Sequence, residues 1–366
     1  MSDVFSCRWM VLVFAGLVCL TNCPAGHAAD AEPDQAETVD IAQGNYLGEW
    51  KLKDGGGGKL TAKIVGQGGG RYHAIFTAYD GSELENETFQ FPISGTSVSA
   101  TKVVFATQVF VGLRLGTFSI RTELEAGQLS GGFSNEKDYV GSMSLKRETT
   151  PAPQLGIAPP EGGRKLFDSP DLAAWNLKEL PAGAWSFSNG VLRCGPAVAG
   201  ETRHLAAREP HGDAIVHVEF RLPYMPEARG QERAQSGLWL QGLYEVQLVD
   251  SFGVGRTTDN FGEFDDVDAM GALLGQKAPR EVPALPPGEW QALDLTFRAP
   301  KLDENGKVVQ AGELSATLNG VVIHDRTAIE LPTSNAPGSG KPAVGLVLEH
   351  AGQPVEFRNL WIVELK

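Results

Sequence analysis

The chain has 366 residues, room for about two domains of ordinary size. Its 44 glycines and 22 prolines, about 18% of the chain against ~12% on average, stand beside 42% hydrophobic residues. That composition suits a turn-rich β protein and excludes a coiled coil, a helical bundle or a disordered chain. Lys and Arg number 31 against 45 Asp and Glu, a formal charge of −14, so no basic surface is ready to neutralise phosphates and nucleic acid is not an expected partner.

Three of the four cysteines, Cys7, Cys19 and Cys23, fall in the first 23 residues, and only Cys194 follows, which excludes a disulfide scaffold. Arg8 precedes an apolar run from Trp9 to Leu20, then come Pro24 and the small residues from Ala25 to Ala29. The pattern predicts a signal peptide over 1–28, too short to span a bilayer permanently, and hence a periplasmic or extracellular protein. Two outcomes stay open: cleavage near Ala28 or Ala29, or a lipid on Cys23, since Leu20-Thr-Asn-Cys23 is similar to a bacterial lipobox. The lipid would be the chain's link to a membrane.

An acidic segment over 29–43 is predicted to be disordered. From 44 to 147 short β-type runs are broken by glycine: Leu60–Val65, Tyr72–Ala78, Lys102–Thr107, Thr117–Glu123 and Tyr139–Leu145. Their alternating polarity predicts a small antiparallel β-sandwich or barrel. Residues 148–164 carry four prolines and three glycines with almost no apolar periodicity, and read as a linker. From 165 to 366 the strands resume: Ile215–Leu222, Ser236–Gln241, Tyr244–Val249, Trp290–Phe297, Leu314–Leu318, Val321–His324, Val344–Leu348 and Val355–Val363. No helix-period segment interrupts them, so the fold class is all-β, with a jelly-roll sandwich as the second domain. The long stretch from Ser251 to Pro287, rich in Gly, Asp and Pro, is a loop of the length usually kept for function.

Side chains alternate along a strand. With Val216, Val218, Phe220 and Leu222 inward, His217, Glu219 and Arg221 share the other face. By the same rule Trp239 and Gln241 oppose Leu238 and Leu240, while Glu245 and Gln247 oppose Tyr244, Val246 and Leu248. One sheet face then collects donors, acceptors, an aromatic ring and ionisable groups, the mixture that a sugar site needs; an ordinary solvated face would show the same pattern. Glu263-Phe-Asp-Asp-Val-Asp268 resembles the paired-acid strand of laminarinase-type glucanases, with Asp268 in place of the final Glu, and also fits an acidic loop or a calcium contact. Asp303-Glu-Asn-Gly-Lys307 reads as an Asn-Gly hairpin turn. No histidine spacing spells a metal site, and no G-x-S-x-G, P-loop or dinucleotide fingerprint occurs.

Residues 165–366 resemble the 3-keto-disaccharide hydrolase family, found in exported bacterial proteins and built as a concanavalin A-like jelly roll. The resemblance rests on Lys165-Leu-Phe-Asp168, Trp185-Ser-Phe-Ser-Asn-Gly-Val-Leu192, Gly212-Asp213, Ser236-Gly237, Tyr244-Glu-Val-Gln-Leu-Val-Asp-Ser-Phe-Gly253, Pro287-Gly-Glu-Trp290, Asn319-Gly320 and Pro354-Val-Glu-Phe-Arg-Asn-Leu-Trp-Ile362. It implies a glycoside substrate oxidised at sugar C3. The ketone acidifies the C2 proton; a base removes it, the enolate expels the C1 substituent, and water adds back. Such a site needs a base, an acid for the leaving oxygen and a stabiliser for the enolate, which an arginine, a hydrogen-bond donor or a divalent metal could supply.

The matched motif implies catalytic roles for Glu245, Asp250 and His350, with His217, Arg221, Trp239, Gln241, Gln247 and Glu349 around the sugar. Glu245, His350 and at least one of Asp250, Arg221 or His217 are expected to converge on one concave pocket. Two departures bear on that expectation. The family's usual Asn-Ser-Gly is Gln235-Ser-Gly237 here, and its Gln-Asp-His-Gly hairpin aligns with Glu349-His-Ala-Gly352. The histidine is thus shifted by one residue, which on a strand swaps faces. The alternative is a lectin-like envelope protein that binds carbohydrate without cleaving it.

Overall fold

The computed structural model describes residues 40–365 except 41, 82, 83, 85, 86, 168–171, 179, 197, 199–202, 254–265, 305–307 and 341–343. The expected leader, Cys23 and nearly all of the acidic segment lie outside the described residues, as do Glu263 to Asp265 of the acidic run. No helix among the described residues is long and apolar enough to cross a membrane.

Eight antiparallel strands form the first layer of the chain: β1 (Gly44–Leu52), β2 (Gly57–Gly66), β3 (Arg71–Tyr79), β4 (Glu87–Ser99), β5 (Lys102–Phe110), β6 (Thr117–Glu125), β7 (Gln128–Asn135) and β8 (Val140–Glu148). They pair in sequence order and close through β1 on β8, from Asn45 opposite Glu148 to Leu52 opposite Gly141. The expectation of a sandwich or barrel is resolved as a closed barrel. Strict alternation builds it: along β6, Phe118, Ile120, Thr122 and Leu124 are buried while Thr117, Ser119, Arg121 and Glu125 are exposed.

The remaining strands are β9 (Arg164–Lys165), β10 (Trp185–Ser188), β11 (Val191–Cys194), β12 (Leu205–Ala206), β13 (Ala214–Arg221), β14 (Ser236–Leu240), β15 (Tyr244–Leu248), β16 (Trp290–Arg298), β17 (Lys301–Leu302), β18 (Val308–Gln310), β19 (Gly312–Leu318), β20 (Val321–Ile329), β21 (Val347–Leu348) and β22 (Glu356–Glu364). A large sheet runs β10-β11-β22-β13-β16-β19-β20, with β9 on β22, and a smaller sheet runs β12-β21-β14-β15. Val216, Val218 and Phe220 of the large sheet share one core with Leu238, Leu240, Val246 and Leu248 of the small one. The two sheets are therefore the layers of a sandwich, and their outer faces look in opposite directions.

The described residues from 40 onward belong to one compact unit, and the barrel meets the sandwich through its β2–β3 end. Tyr72 and Tyr224 both donate their hydroxyls to Asp40, Gly69 N donates to Glu227 (2.9 Å), and Arg229 donates to the Gln67 carbonyl (2.8 Å).

The proline-rich segment does not hang free. It crosses the outer face of the large sheet, where Gly156 N donates to Glu219 (2.6 Å) and Asn359 and Trp361 both donate to the Ile157 carbonyl. Glu219 also accepts from Arg358 (2.6 Å) and Asn359 (2.8 Å), and His217 is held by Asp294 (2.6 Å) and stacked on Trp361. Burial would raise the Glu219 carboxyl, but hydrogen bonds from His217, Gly156, Asn359 and Arg358 win and lower it to about 2. Its contribution to stability is therefore full above the ordinary glutamate range and is lost as pH falls toward 2. Burial would lower the His217 imidazole, yet Asp294 and Glu219 raise it, so its contribution is full at low pH and fades as pH rises through that raised value.

Replacing Glu219 by Ala leaves Arg358, His217 and the Gly156 amide without their shared acceptor. Glu219→Ala is expected to lose ~3 kcal/mol in urea unfolding and to be cut faster by proteinase K within 148–164. Unchanged stability and nicking would show that the clamp does not hold the segment.

Candidate active site

On the outer face of the small sheet, register places two rows side by side. Trp239 lies between Glu245 on β15 and Val347 on β21. Gly237 lies between Gln247 and Glu349, whose backbone N donates to the Gly237 carbonyl at 2.9 Å. A Cβ at Gly237 would overlap Glu245 Oε1. The empty glycine position is thus the space over which the Glu245 carboxyl leans from one neighbouring strand to meet Glu349 on the other, and the two carboxyls are hydrogen-bonded to each other.

The surroundings are dry. Glu245 is 1% exposed, and Trp239 packs with Ala336 and Val347 beside it. Thr333 Oγ1 accepts from the Glu245 backbone N (3.0 Å), and Ser236 Oγ donates to the Glu349 carbonyl (2.9 Å). The Gln247 amide, turned so that its nitrogen faces Glu245, donates to Glu245 Oε1 (3.2 Å) and to the Ser236 carbonyl (3.0 Å), and its oxygen faces the Gln231 amide.

Burial, then the charge of Glu349 and the hydrogen bond to it, push the Glu245 carboxyl far above the ordinary value of 4.5. Burial also raises Glu349, and the hydrogen bond from Glu245 offsets part of that rise. Both carboxyls are raised, and two buried acids in contact resist ionising together, so they titrate as a pair rather than as two independent groups. Trp239 Nε1 on this face and Arg233 Nη2 beside it are buried without a hydrogen-bond partner, and the buried Glu349 Oε2 has none apart from the Glu245 carboxyl. Unmet groups of this kind are expected where a ligand supplies the missing partner.

Of the expected site residues, Glu245, Gln247, Glu349 and Trp239 share this face. The expectation of a single common face fails for His217 and Arg221, as it does for Glu219, because β13 belongs to the other sheet and its outward side chains look the opposite way. Arg221 is paired with Glu356 and lies over the Trp290 ring at 5.0 Å. Gln241 leaves the strand: it takes a positive φ of 54° in the turn after β14 and binds His211 through its backbone N (3.1 Å) and its side chain (2.9 Å).

Asp250 sits just past β15, where its carboxylate is taken by Arg233 (2.7 Å) and by the Phe252 amide (3.1 Å). His350 follows the face swap that its one-residue shift implies. Its ring packs edge-on against Trp185 (5.7 Å), its backbone N donates to His204 (3.1 Å), and burial lowers its pKa. Glu349, not His350, is the hairpin residue beside Glu245.

Sequence reasoning missed Thr333, Gln231 and Arg233 around the site, and Asp294 beside His217. Asp294 carried a signal, a lone acid between the buried Leu293 and Leu295, but its partner depends on cross-strand register. Of the acidic run, Asp266–Asp268 forms a single 3-10 turn. The expected Asn-Gly turn at 305–306 lies outside the described residues; β17 and β18 on either side of it pair antiparallel. No group of three or more His, Cys, Asp and Glu side chains suited to a metal ion gathers among the described residues.

A jelly-roll sandwich with a proton-sharing carboxyl pair on one sheet face defines a class of acid–base site on a fold used widely for carbohydrates. A family model described as a 3-keto-alpha-glucoside-1,2-lyase-like domain matches residues 162–363, more than half of the chain. The chain belongs to this family, the 3-keto-disaccharide hydrolases, and with it to the glycoside-cleaving enzymes. Among solved structures, a candidate glycosyl hydrolase from Parabacteroides distasonis is 27% identical with a TM-score of 0.47, the match covering 56% of this chain and 85% of that one. A second candidate glycosyl hydrolase from the same organism is 16% identical with a TM-score of 0.40, covering 56% of this chain and 95% of that one. No curated protein matches the chain.

The raised Glu245 carboxyl carries a sign. A group that binds its proton more tightly folded than unfolded stabilises fully below its ordinary value, 4.5, and that contribution is lost as pH rises through the folded value. Glu245→Gln has no such dependence. Its Tm relative to wild type is expected to climb between about pH 5 and about pH 8. A pH-independent difference would mean that Glu245 is ionised in the folded protein.

Proposed function

We propose that the protein cleaves 3-keto-glycosides, with Glu349 as the base and Glu245 as the acid. The ionised Glu349 carboxylate takes the C2 proton. The electron pair of that C–H bond forms the C1–C2 double bond as the C1–O bond breaks, and Glu245 delivers its proton to the departing oxygen. Glu349 is then protonated and Glu245 ionised. Water adds at C1, giving its proton to Glu245, while Glu349 returns a proton to C2; both residues are restored and the net reaction is hydrolysis. Trp239 Nε1 is a donor available to a sugar oxygen, and Gln247 fixes the Glu245 carboxyl.

The observation that carries this reading is the hydrogen-bonded Glu245–Glu349 pair over Gly237, a base and an acid held side by side in a dry site. Release of p-nitrophenol from its 3-keto-glucoside tests it. Glu245→Gln and Glu349→Gln are each expected to lose ~10²–10⁴-fold in kcat, the usual contribution of general acid–base catalysis. Turnover equal to wild type in either variant would remove that residue from the mechanism. Sugar binding without any turnover by the wild type would instead support the lectin-like alternative.

Export is part of the same proposal. The basic and apolar pattern over 1–28 supports a leader removed near Ala28, with a lipid on Cys23 as the second route. The N-terminal residue of the mature protein distinguishes them.

A further inference from the structure

The barrel is filled at one end and hollow at the other. Near the sandwich, Tyr46, Ile64, Tyr72, Phe105 and Leu129 are buried against one another, and Tyr46 donates its hydroxyl to the Ala42 carbonyl across that end. Towards the far end, where the β1–β2, β3–β4, β5–β6 and β7–β8 connections lie, a cavity of about 320 Å³ remains. Trp50, Phe89, Phe118, Phe133 and Tyr139 supply most of its aromatic wall, and Leu115 stands at its mouth. No lining side chain is charged, and Trp50 Nε1 is already committed to the Tyr79 carbonyl (3.2 Å). Apolar groups surround the opening: Leu113 in the β5–β6 loop is 92% exposed and Phe110 beside it 59%. Lys137 ties the β7–β8 turn to that loop through the carbonyls of Leu113 and Arg114.

We propose that this cavity is a binding site for a compact, uncharged ring compound. Each restriction follows from the walls. A charge, or the hydroxyls of a sugar, would lose water and find no partner. An extended acyl chain needs depth, and the lower half of the barrel is already packed. The volume falls at the small end of the ~300–1000 Å³ typical of small-molecule sites, and aromatic walls favour stacked or edge-on contact with a ring. An eight-stranded closed barrel is just wide enough to hold one such ligand. The site is separate from the Glu245–Glu349 face, and its occupancy does not depend on the cleavage chemistry.

Titration of the full chain with N-phenyl-1-naphthylamine, whose fluorescence rises in apolar surroundings, tests the proposal. Saturable one-to-one binding is expected, weakened about tenfold or more by Leu115→Arg and by Val111→Glu, two half-buried mouth positions whose new charges have no partner in the cavity. Unaltered far-UV circular dichroism and an unaltered Tm confirm that either variant is folded. Naphthalene should displace the probe and palmitate should not. Absence of saturable binding, equal affinity in both folded variants, or displacement by palmitate as effective as by naphthalene would each overturn the assignment.

Discussion

Two carboxyl groups that meet away from water cannot both be ionised, because the repulsion between like charges is poorly screened and neither charge is solvated. The site follows from that constraint. Gly237 contributes nothing but an absence, and through it a glutamate on one neighbouring strand reaches a glutamate on the other. Burial beside Trp239 and Val347 then raises both carboxyls and favours keeping a proton on the pair. A rigid sheet suits this arrangement, since strand register places both side chains before any substrate arrives.

The opposite face of the sandwich uses similar residues for another end. His217, Glu219, Asp294 and Arg358 form a buried network, and the proline-rich segment closes over it. There the carboxylate is lowered rather than raised, because hydrogen-bond donors surround it. The same residue type, buried to the same 1% in Glu219 and Glu245, titrates in opposite directions according to whether its neighbours are donors or another acid.

The all-β class and most strands were legible in the sequence, because alternation on half-buried strands is a direct consequence of the pleat. In the barrel, β1, β4 and β7 were not recognised, since β1 and β7 carry two glycines each and β4 contains Pro92; in the sandwich the short strands β9 to β12, β17 and β18 were missed. For the site, alternation correctly separated Glu245, Gln247 and Trp239 from their inward neighbours, but it is blind to which sheet a strand joins. His217 and Arg221 were therefore grouped with groups on the far side of the molecule. The displaced histidine was legible as a departure from the family pattern; that its neighbour Glu349 would take up the place beside Glu245 required the pairing of β21 with β14. The cavity in the barrel had no signal in the sequence, since an inward aromatic residue looks the same whether it fills space or lines it.

The central claim is that one proton is shared between Glu245 and Glu349 near neutral pH. Infrared difference spectroscopy of the wild type against Glu245→Gln measures it most directly. A protonated carboxylic C=O band is expected at about pH 7 in the wild type, and it vanishes in Glu245→Gln. If the difference spectrum instead shows only the loss of an ionised carboxylate, both glutamates are charged in the folded protein and the proposed division into acid and base is contradicted.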